Sequence, residues 1–198
     1  GEPLILLHGV LGTPLMWSTT MPLLAAASMR VIALPALGHQ GGRPCVSRPC
    51  RIADVVDDAE RSLDALGLEC AHLAGNSMGG WLALELGRRG RARSVCALSP
   101  AGLWESSHDL DGRKRLAATV ALTRWTRPLL PVFARSAAVR RFALRDNAVH
   151  GERTGQRGLI ALADAVLGCD VASDLLDTPE QFEPLEVSYP VDVVWSGV

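Results

Sequence analysis

The sequence predicts an α/β protein whose mostly parallel sheet is covered by helices on both faces. Short apolar runs, separated by loops and amphipathic segments, are the candidate strands at residues 3–7, 29–34, 70–74, 94–98 and 191–195. Strands that alternate with helices form parallel sheets, because each return connection is a helix-sized crossover. With 198 residues, of which 48% are hydrophobic, the chain is long enough to bury one substantial core.

The segments between these strands carry helix and loop signals. Thr13-Pro14 has the pattern of a helix cap followed by proline at the first helical position. Residues 35–44 are rich in Gly and Pro and predict a long loop. Residues 53–66 place apolar side chains on one stripe with acids opposite, which predicts a helix that Gly67 ends. A further helix is expected over residues 78–88.

A long insertion is predicted after Pro100. The residues that follow it have helical periodicity and no convincing strand before the apolar run at 191–195. The expected organisation is therefore a first core part over 1–101, a helical cap over 102–186 and a truncated core strand over 187–198.

The predicted cap is divided by charge. Residues 113–145 contain many bases and no acid, whereas residues 146–186 are dominated by acids. Two helical halves of opposite sign can pair with each other, and because this simpler interpretation is favoured, no membrane contact is expected. The alternative is a basic cap surface, carrying Trp125, Phe133 and Phe142, that meets an anionic substrate or a membrane surface.

Composition narrows the classes of partner. The formal net charge of −1 gives no reason to expect nucleic acid, so a small-molecule substrate is the expected partner. Five scattered cysteines predict neither a disulfide framework nor a metal site. No apolar run reaches the roughly 18 residues that a membrane helix needs, and a cytoplasmic location is expected.

The main chemical motif is Gly75-Asn76-Ser77-Met78-Gly79, which matches the pattern G-x-S-x-G. It lies between a predicted buried strand and a predicted helix, the position in which this motif forms a turn that exposes its serine. A sharp strand-to-helix turn holds its serine in a strained backbone conformation, and glycine at the flanking positions lets neighbouring chains approach closely. Ser77 is therefore the candidate nucleophile.

Two backbone amides are candidate donors to an oxyanion, meaning the negatively charged oxygen of an acyl-transfer intermediate. The Met78 N–H lies at a helix N-terminus, where unpaired donors and the helix dipole favour negative charge. The segment from His8 to Gly12 follows the first strand and can deliver a second amide, most simply that of Val10. His8 itself is interpreted as a residue that orders this loop rather than as a general base.

These two motifs, their order, the insertion after Pro100 and the final strand resemble the α/β-hydrolase superfamily with a helical cap. The resemblance covers essentially the whole chain. It implies hydrolysis or acyl transfer by a Ser-His-Asp triad whose acid and then histidine follow the serine along the chain. Ser77 matches the family's nucleophile, and Met78 and Val10 match its oxyanion positions. This chemistry needs protein groups and water, so no metal and no cofactor are expected.

The chain departs from the family pattern at both ends. The family's acid lies just beyond the strand that here is 191–195, and its histidine lies beyond one more strand, so both are expected after Val198. Two strands that usually precede the one at Pro3 are absent, and the sequence is interpreted as an incomplete excerpt of a longer protein. None of the remaining histidines occupies the family's base position, namely His39, His72, His108 and His150.

The family resemblance also allows an acid just after the strand that here ends at Leu98, and this makes Glu105, whose spacing from Pro100 is permissive, a candidate acid. A polar residue that opens the cap is the simpler interpretation of Glu105.

The expected substrate is an ester, thioester or related carbonyl compound small enough to fit under a cap. A serine nucleophile argues against the epoxide hydrolases and haloalkane dehalogenases of the same superfamily, since those enzymes need a carboxylate. Carbon–carbon bond hydrolases and perhydrolases also use the serine triad, so the sequence does not distinguish these activities from ester hydrolysis. The alternative from another class is a non-catalytic scaffold whose capped pocket binds a ligand.

Overall fold

A computed structural model describes residues 1–103, 106–145, 148–178 and 180–195. The described residues form one parallel sheet with the strand order β2-β1-β3-β4-β5. The strands are β1 (Pro3–Leu7), β2 (Arg30–Leu34), β3 (Ala71–Asn76), β4 (Ala92–Leu98) and β5 (Val191–Val194). Each predicted strand is present, with bounds that differ from the prediction by at most two residues, so the predicted fold class is confirmed.

The helices alternate with the first four strands and then fill the long connection between β4 and β5. Their bounds are α1 (Met21–Ala26), α2 (Ile52–Ala65), α3 (Met78–Arg88), α4 (Ser106–Thr126), α5 (Leu130–Phe133), α6 (Ala137–Ala143), α7 (Gln156–Leu167) and α8 (Ala172–Leu176). Short 3-10 helices cover Pro14–Trp17, Arg127–Leu129 and Gly151–Arg153. In the described parts of that long connection no strand occurs.

Side-chain alternation along β1 divides the core between the two faces of the sheet. Ile5 and Leu7 belong to the larger cluster, which includes apolar residues of α2 and α3. Leu4 and Leu6 point to the other face, where Trp17 and residues of α1 cover them. Successive residues of a strand face opposite sides, so buried side chains at consecutive positions require helices on both faces.

Hydrogen bonds to side-chain oxygens cap the starts of two helical segments. The Thr13 hydroxyl accepts a hydrogen bond from the Leu15 N–H (3.3 Å), which caps the 3-10 helix that starts at Pro14. At the start of α2, the Glu180 carboxylate accepts hydrogen bonds from the backbone amides of Ile52 (2.6 Å) and Ala53 (3.2 Å). A carboxylate from the far end of the long connection therefore caps α2.

The chain returns to β5 along the surface of α3. The Arg88 guanidinium donates to the backbone carbonyls of Glu183 (2.7 Å) and Pro184 (2.9 Å). Next to β5, the Tyr189 side chain lies against Gly87 so closely that a Cβ atom there would overlap the ring. Among the helices that the structure describes, none is long and apolar enough to cross a membrane.

Strand register brings the chemical motifs together. Leu7 at the end of β1 pairs with Gly75 of β3, and Asn76 pairs with Leu98 of β4. Because all strands run parallel, the loops that follow β1 and β3 leave the sheet at the same edge. The segments His8–Gly12 and Gly75–Gly79 are neighbours for this reason.

Candidate active site

Ser77 forms the turn between β3 and α3 in a strained backbone conformation. Its φ of 53° and ψ of −119° lie outside the regions that L-residues normally adopt. Its N–H donates to the carbonyl of Leu98 (2.9 Å), and its carbonyl accepts from the amides of Ala101 (3.0 Å) and Gly80 (2.9 Å). Hydrogen bonds to β4 and to the segment after β4 thus hold this conformation, in the strand–turn–helix context that the motif predicts.

The two glycines of the motif are required by close packing. A Cβ atom on Gly75 would overlap the carbonyl of Gly79, and a Cβ atom on Gly79 would overlap the carbonyl of Leu7. Gly9, in the loop after β1, would bring a Cβ atom to 3.3 Å from the Ser77 Cβ. The loop after β1 therefore lies directly beside Ser77.

The amides of Val10 and Met78 both lack a hydrogen-bond acceptor among the described residues. Met78 is the first residue of α3, and Val10 is part of the loop that a hydrogen bond from the Gly12 N–H to the Gly9 carbonyl (3.0 Å) closes. N–H groups at a helix N-terminus attract negative charge through their partial positive charges and the helix dipole. The geometry thus leaves two donors available close to the Ser77 turn.

His8 ties the loop after β1 to the loop after β2. Its Nδ1 lies 2.9 Å from the Gly9 carbonyl, and its Nε2 accepts a hydrogen bond from the Ala36 N–H (3.1 Å). Since a carbonyl can only accept and an amide can only donate, the ring is neutral, with its proton on Nδ1. Burial lowers the pKa of His8 to about 4. Both nitrogens are occupied, which agrees with the interpretation of His8 as a loop-ordering residue.

The other described histidines have different environments. His39 is buried, its Nδ1 contacts the Leu37 carbonyl (2.9 Å), and its ring meets that of His8 at a centroid distance of 5.1 Å. His72 lies near the start of β3, at the end of the strand remote from Ser77, and contacts Ser94 and Glu2. His150 contacts Glu152. Within the described ranges, no histidine is hydrogen bonded to Ser77.

Two residues that the sequence analysis considered lie wholly or partly outside the described structure. Glu105 is not among the described residues, and neither is the side chain of His108. Glu105 as a triad acid therefore stays a hypothesis. In the part of the chain that is described, no group of three or more His, Cys, Asp or Glu side chains could hold a metal ion.

The segment between α7 and α8 contacts the loops that flank the Ser77 turn, which the sequence analysis missed. The Asp170 N–H donates to the Gly38 carbonyl (3.0 Å), and Val171 packs so tightly on Gly38 that a Cβ atom there would overlap it. Burial raises the pKa of the Cys169 thiol, while backbone amides that include that of Leu11 oppose this shift. The long connection is therefore anchored beside the candidate oxyanion loop.

The described residues around Ser77 thus provide the Ser77 hydroxyl, the two backbone amides of Val10 and Met78, and the neutral, buried ring of His8 in the loop after β1. Backbone donors grouped in this way can stabilise negative charge on an oxygen atom placed beside them.

Two curated relatives resemble parts of the chain. A protein of Mycobacterium tuberculosis named epoxide hydrolase EphH is 60% identical over 52 residues, which are 26% of this chain and 24% of that protein. The dihydrolipoyllysine-residue acetyltransferase component of an acetoin cleaving system from Pseudomonas putida is 36% identical over 108 residues, 54% of this chain and 29% of that protein. The chain therefore spans less than a third of the length of these relatives.

A solved structure and a family model match nearly the whole chain. The structure of a thermophilic esterase from Thermogutta terrifontis has a TM-score of 0.64 and 21% sequence identity, covering 98% of this chain and 71% of that chain. At this identity the likeness shows a shared fold. The model of the alpha/beta hydrolase family matches residues 4–195. The chain therefore belongs to the alpha/beta hydrolase family.

Proposed function

We propose that this protein is a serine hydrolase of ester, thioester or related carbonyl compounds. Ser77 is the nucleophile, and the amides of Met78 and Val10 form the oxyanion hole. The observation that carries the proposal is the backbone of Ser77, whose positive φ is maintained by hydrogen bonds to Leu98 and Ala101. Strain of this kind at a strand–helix turn is typical of a serine exposed for reaction.

In the proposed reaction, Ser77 Oγ attacks the substrate carbonyl carbon and its proton passes to a histidine base. The carbonyl oxygen becomes an oxyanion that the two amides stabilise. When this intermediate collapses, the bond to the leaving group breaks, the leaving group takes the proton from the histidine, and an acyl-enzyme remains. Water then attacks the acyl carbon while the histidine takes its proton, the bond from that carbon to Ser77 Oγ breaks, and the histidine returns the proton to Ser77 Oγ as the acid leaves. The base and its acid are the residues that the family resemblance leads us to expect after Val198.

The substrate class follows from the nucleophile. The relative from Mycobacterium tuberculosis carries the name of an epoxide hydrolase, whose chemistry requires a carboxylate that forms an ester with the substrate carbon. In this chain the turn between β3 and α3 holds Ser77, and a serine hydroxyl suits attack on a carbonyl carbon. We therefore propose carbonyl substrates and treat an epoxide as the comparison substrate.

We further propose that residues 102–186 act as a cap that limits the substrate to a small molecule. The helices from α4 to α8 within this segment support the assignment. Its last part is anchored on the core, since Cys169, Val171, Ala172 and Leu175 contribute buried side chains to the larger core cluster. A deletion that tests the cap should keep residues 169–186, so that loss of selectivity is not confused with loss of folding.

The deciding experiment combines labelling and turnover on the natural full-length protein. A fluorophosphonate probe should label Ser77, and short p-nitrophenyl esters should be hydrolysed while styrene oxide is not. Ser77→Ala should lower ester turnover by about a thousandfold or more. Ser28→Ala is the matched control, because exposed Ser28 also has a positive φ, of 66°, and lies just before β2, at the opposite edge of the parallel sheet from Ser77.

Labelling at another serine, or turnover of the epoxide alone, would contradict the assignment. Absence of both labelling and turnover in a folded protein would favour the non-catalytic ligand-binding scaffold.

A further inference from the structure

The outer surface of the cap carries a stripe of large apolar side chains. Along the continuous run of α4, the 3-10 helix Arg127–Leu129 and α5, these side chains recur at intervals of three and four residues and are exposed, namely Leu122, Trp125, Leu129, Val132 and Phe133. Trp125 is 82% exposed. On the neighbouring α6, Phe142 is 68% exposed. Exposed apolar groups that cluster in this way usually mark an interaction site.

This stripe faces away from the core. The inward side of α4 is defined by Leu116 and Val120, which pack against the larger core cluster. Leu122 and Trp125 follow Val120 by two and five residues, spacings that put a side chain on the opposite side of a helix. The stripe therefore does not pack against the core.

The stripe belongs to a strongly basic part of the sequence. Residues 113–145 contain nine basic side chains and no acid: Arg113, Lys114, Arg115, Arg124, Arg127, Arg135, Arg140, Arg141 and Arg145. Of these, Arg127 pairs with Asp164 of α7, and Arg140 donates to backbone carbonyls inside the cap. Arg124, Arg135 and Arg141 are exposed.

We propose that this outer cap surface docks on an anionic lipid surface. Trp, Phe and Leu side chains combined with Arg and no acid are the composition of helices that lie in the membrane interface. A symmetric contact between two copies would bring the two basic surfaces together, and like charges repel. An anionic lipid surface can bury the apolar side chains of the stripe and attract the nearby arginines through its negatively charged headgroups.

This inference revises the expectation of no membrane contact, which depended on charge pairing within the cap. Pairing does occur, between Arg127 and Asp164, and it leaves the aromatic side chains outside. The inference is independent of the proposed hydrolase activity, because none of the residues on this surface takes part in the proposed reaction.

Co-sedimentation with vesicles tests the proposal on the full chain. The protein should bind vesicles of phosphatidylcholine mixed with phosphatidylserine, and binding should weaken as salt is added or when phosphatidylcholine is used alone. The paired change Trp125→Ser and Phe142→Ser should lower the partition coefficient by about tenfold. The paired change Arg124→Glu and Arg135→Glu should lower it to a similar extent. Leu23→Ser, which removes a side chain 72% exposed on α1, is the control and should bind like the wild type.

A second measurement keeps the test independent of variant folding. Brominated phospholipid should quench part of the tryptophan fluorescence of the wild-type protein, and Trp125→Phe should remove that part. Failure to bind mixed vesicles, or equal binding to neutral ones, would overturn the proposal. So would a dimer that forms without lipid and dissociates in the Trp125→Ser, Phe142→Ser variant, since the stripe would then contact a second copy.

Discussion

A Cβ atom on Gly79 would overlap the backbone carbonyl oxygen of Leu7, so the first turn of α3 packs directly on the backbone of β1. This contact brings the helix N-terminus that follows Ser77 next to the loop that carries Val10. The glycine is therefore a requirement of packing between two elements that are distant in sequence.

Gly79→Ala should destabilise the fold strongly, because neither backbone can yield without disturbing the sheet. We expect a loss of about 3 kcal/mol in the free energy of unfolding. Gly155→Ala is the control, since Gly155 has a negative φ of −54° and open space around its Cα. Thermal unfolding followed by circular dichroism compares the two variants, and similar melting temperatures would show that the close packing is wrong.

Ser77→Gly should stabilise the protein while it removes the proposed nucleophile. Glycine adopts a φ of 53° without a steric penalty, so the change relieves strain worth about 1 kcal/mol, or about 3 °C in the melting temperature. Ser77→Ala keeps the Cβ atom and hence the strain, and should melt like the wild type. If Ser77→Ala were stabilised as much as Ser77→Gly, the gain would come from the lost hydroxyl and not from the backbone.

Most of the fold could be predicted from the sequence because its signals are local. Apolar runs gave all five strands, and the acids opposite the stripe of residues 53–66 gave α2, observed as Ile52–Ala65. The motif around Ser77 was equally readable, since a glycine on each side of a serine between a strand and a helix has few other uses.

The remaining features depend on contacts between residues that are far apart in sequence. No local pattern indicates that Glu180 caps α2, or that the segment from Cys169 to Val171 packs beside Gly38. The hydrogen bonds at both ring nitrogens of His8 could not be predicted either, because the donor to Nε2 is the amide of Ala36 in another loop. The same holds for the outward direction of Trp125, which depends on which side of α4 meets the core.

Glu180→Gln should weaken the cap of α2. The Glu180 carboxylate accepts from two amides at a helix N-terminus, where a negative charge is stabilising, and we expect the change to cost about 1 kcal/mol. Glu186→Gln, on an exposed residue of the same returning segment, is the control. Hydrogen exchange of the Ile52 and Ala53 amides should be faster in Glu180→Gln only, and equal rates in both variants would contradict the capping role.

Protonation of His8 should make the protein lose stability in mild acid. The pKa of His8 is about 4 in the folded protein, against 6.5 for an unperturbed histidine, because burial disfavours the charged ring. Between these values the unfolded chain binds the extra proton, so stability is retained above pH 6.5 and falls as the pH approaches 4. For a ring that is 1% exposed, the full loss is about 3 kcal/mol.

His8→Asn should flatten this dependence of stability on pH, because asparagine has no group that titrates in this range. The quantity to compare is the change in unfolding free energy between pH 7 and mild acid, obtained from urea titrations, so that any constant destabilisation by the substitution cancels. Buried His39, whose pKa is also lowered chiefly by burial, should leave a residual slope of the same sign in the variant. An unchanged slope in His8→Asn would mean that His8 is charged in the folded protein, which the hydrogen bond from the Ala36 amide to its Nε2 forbids.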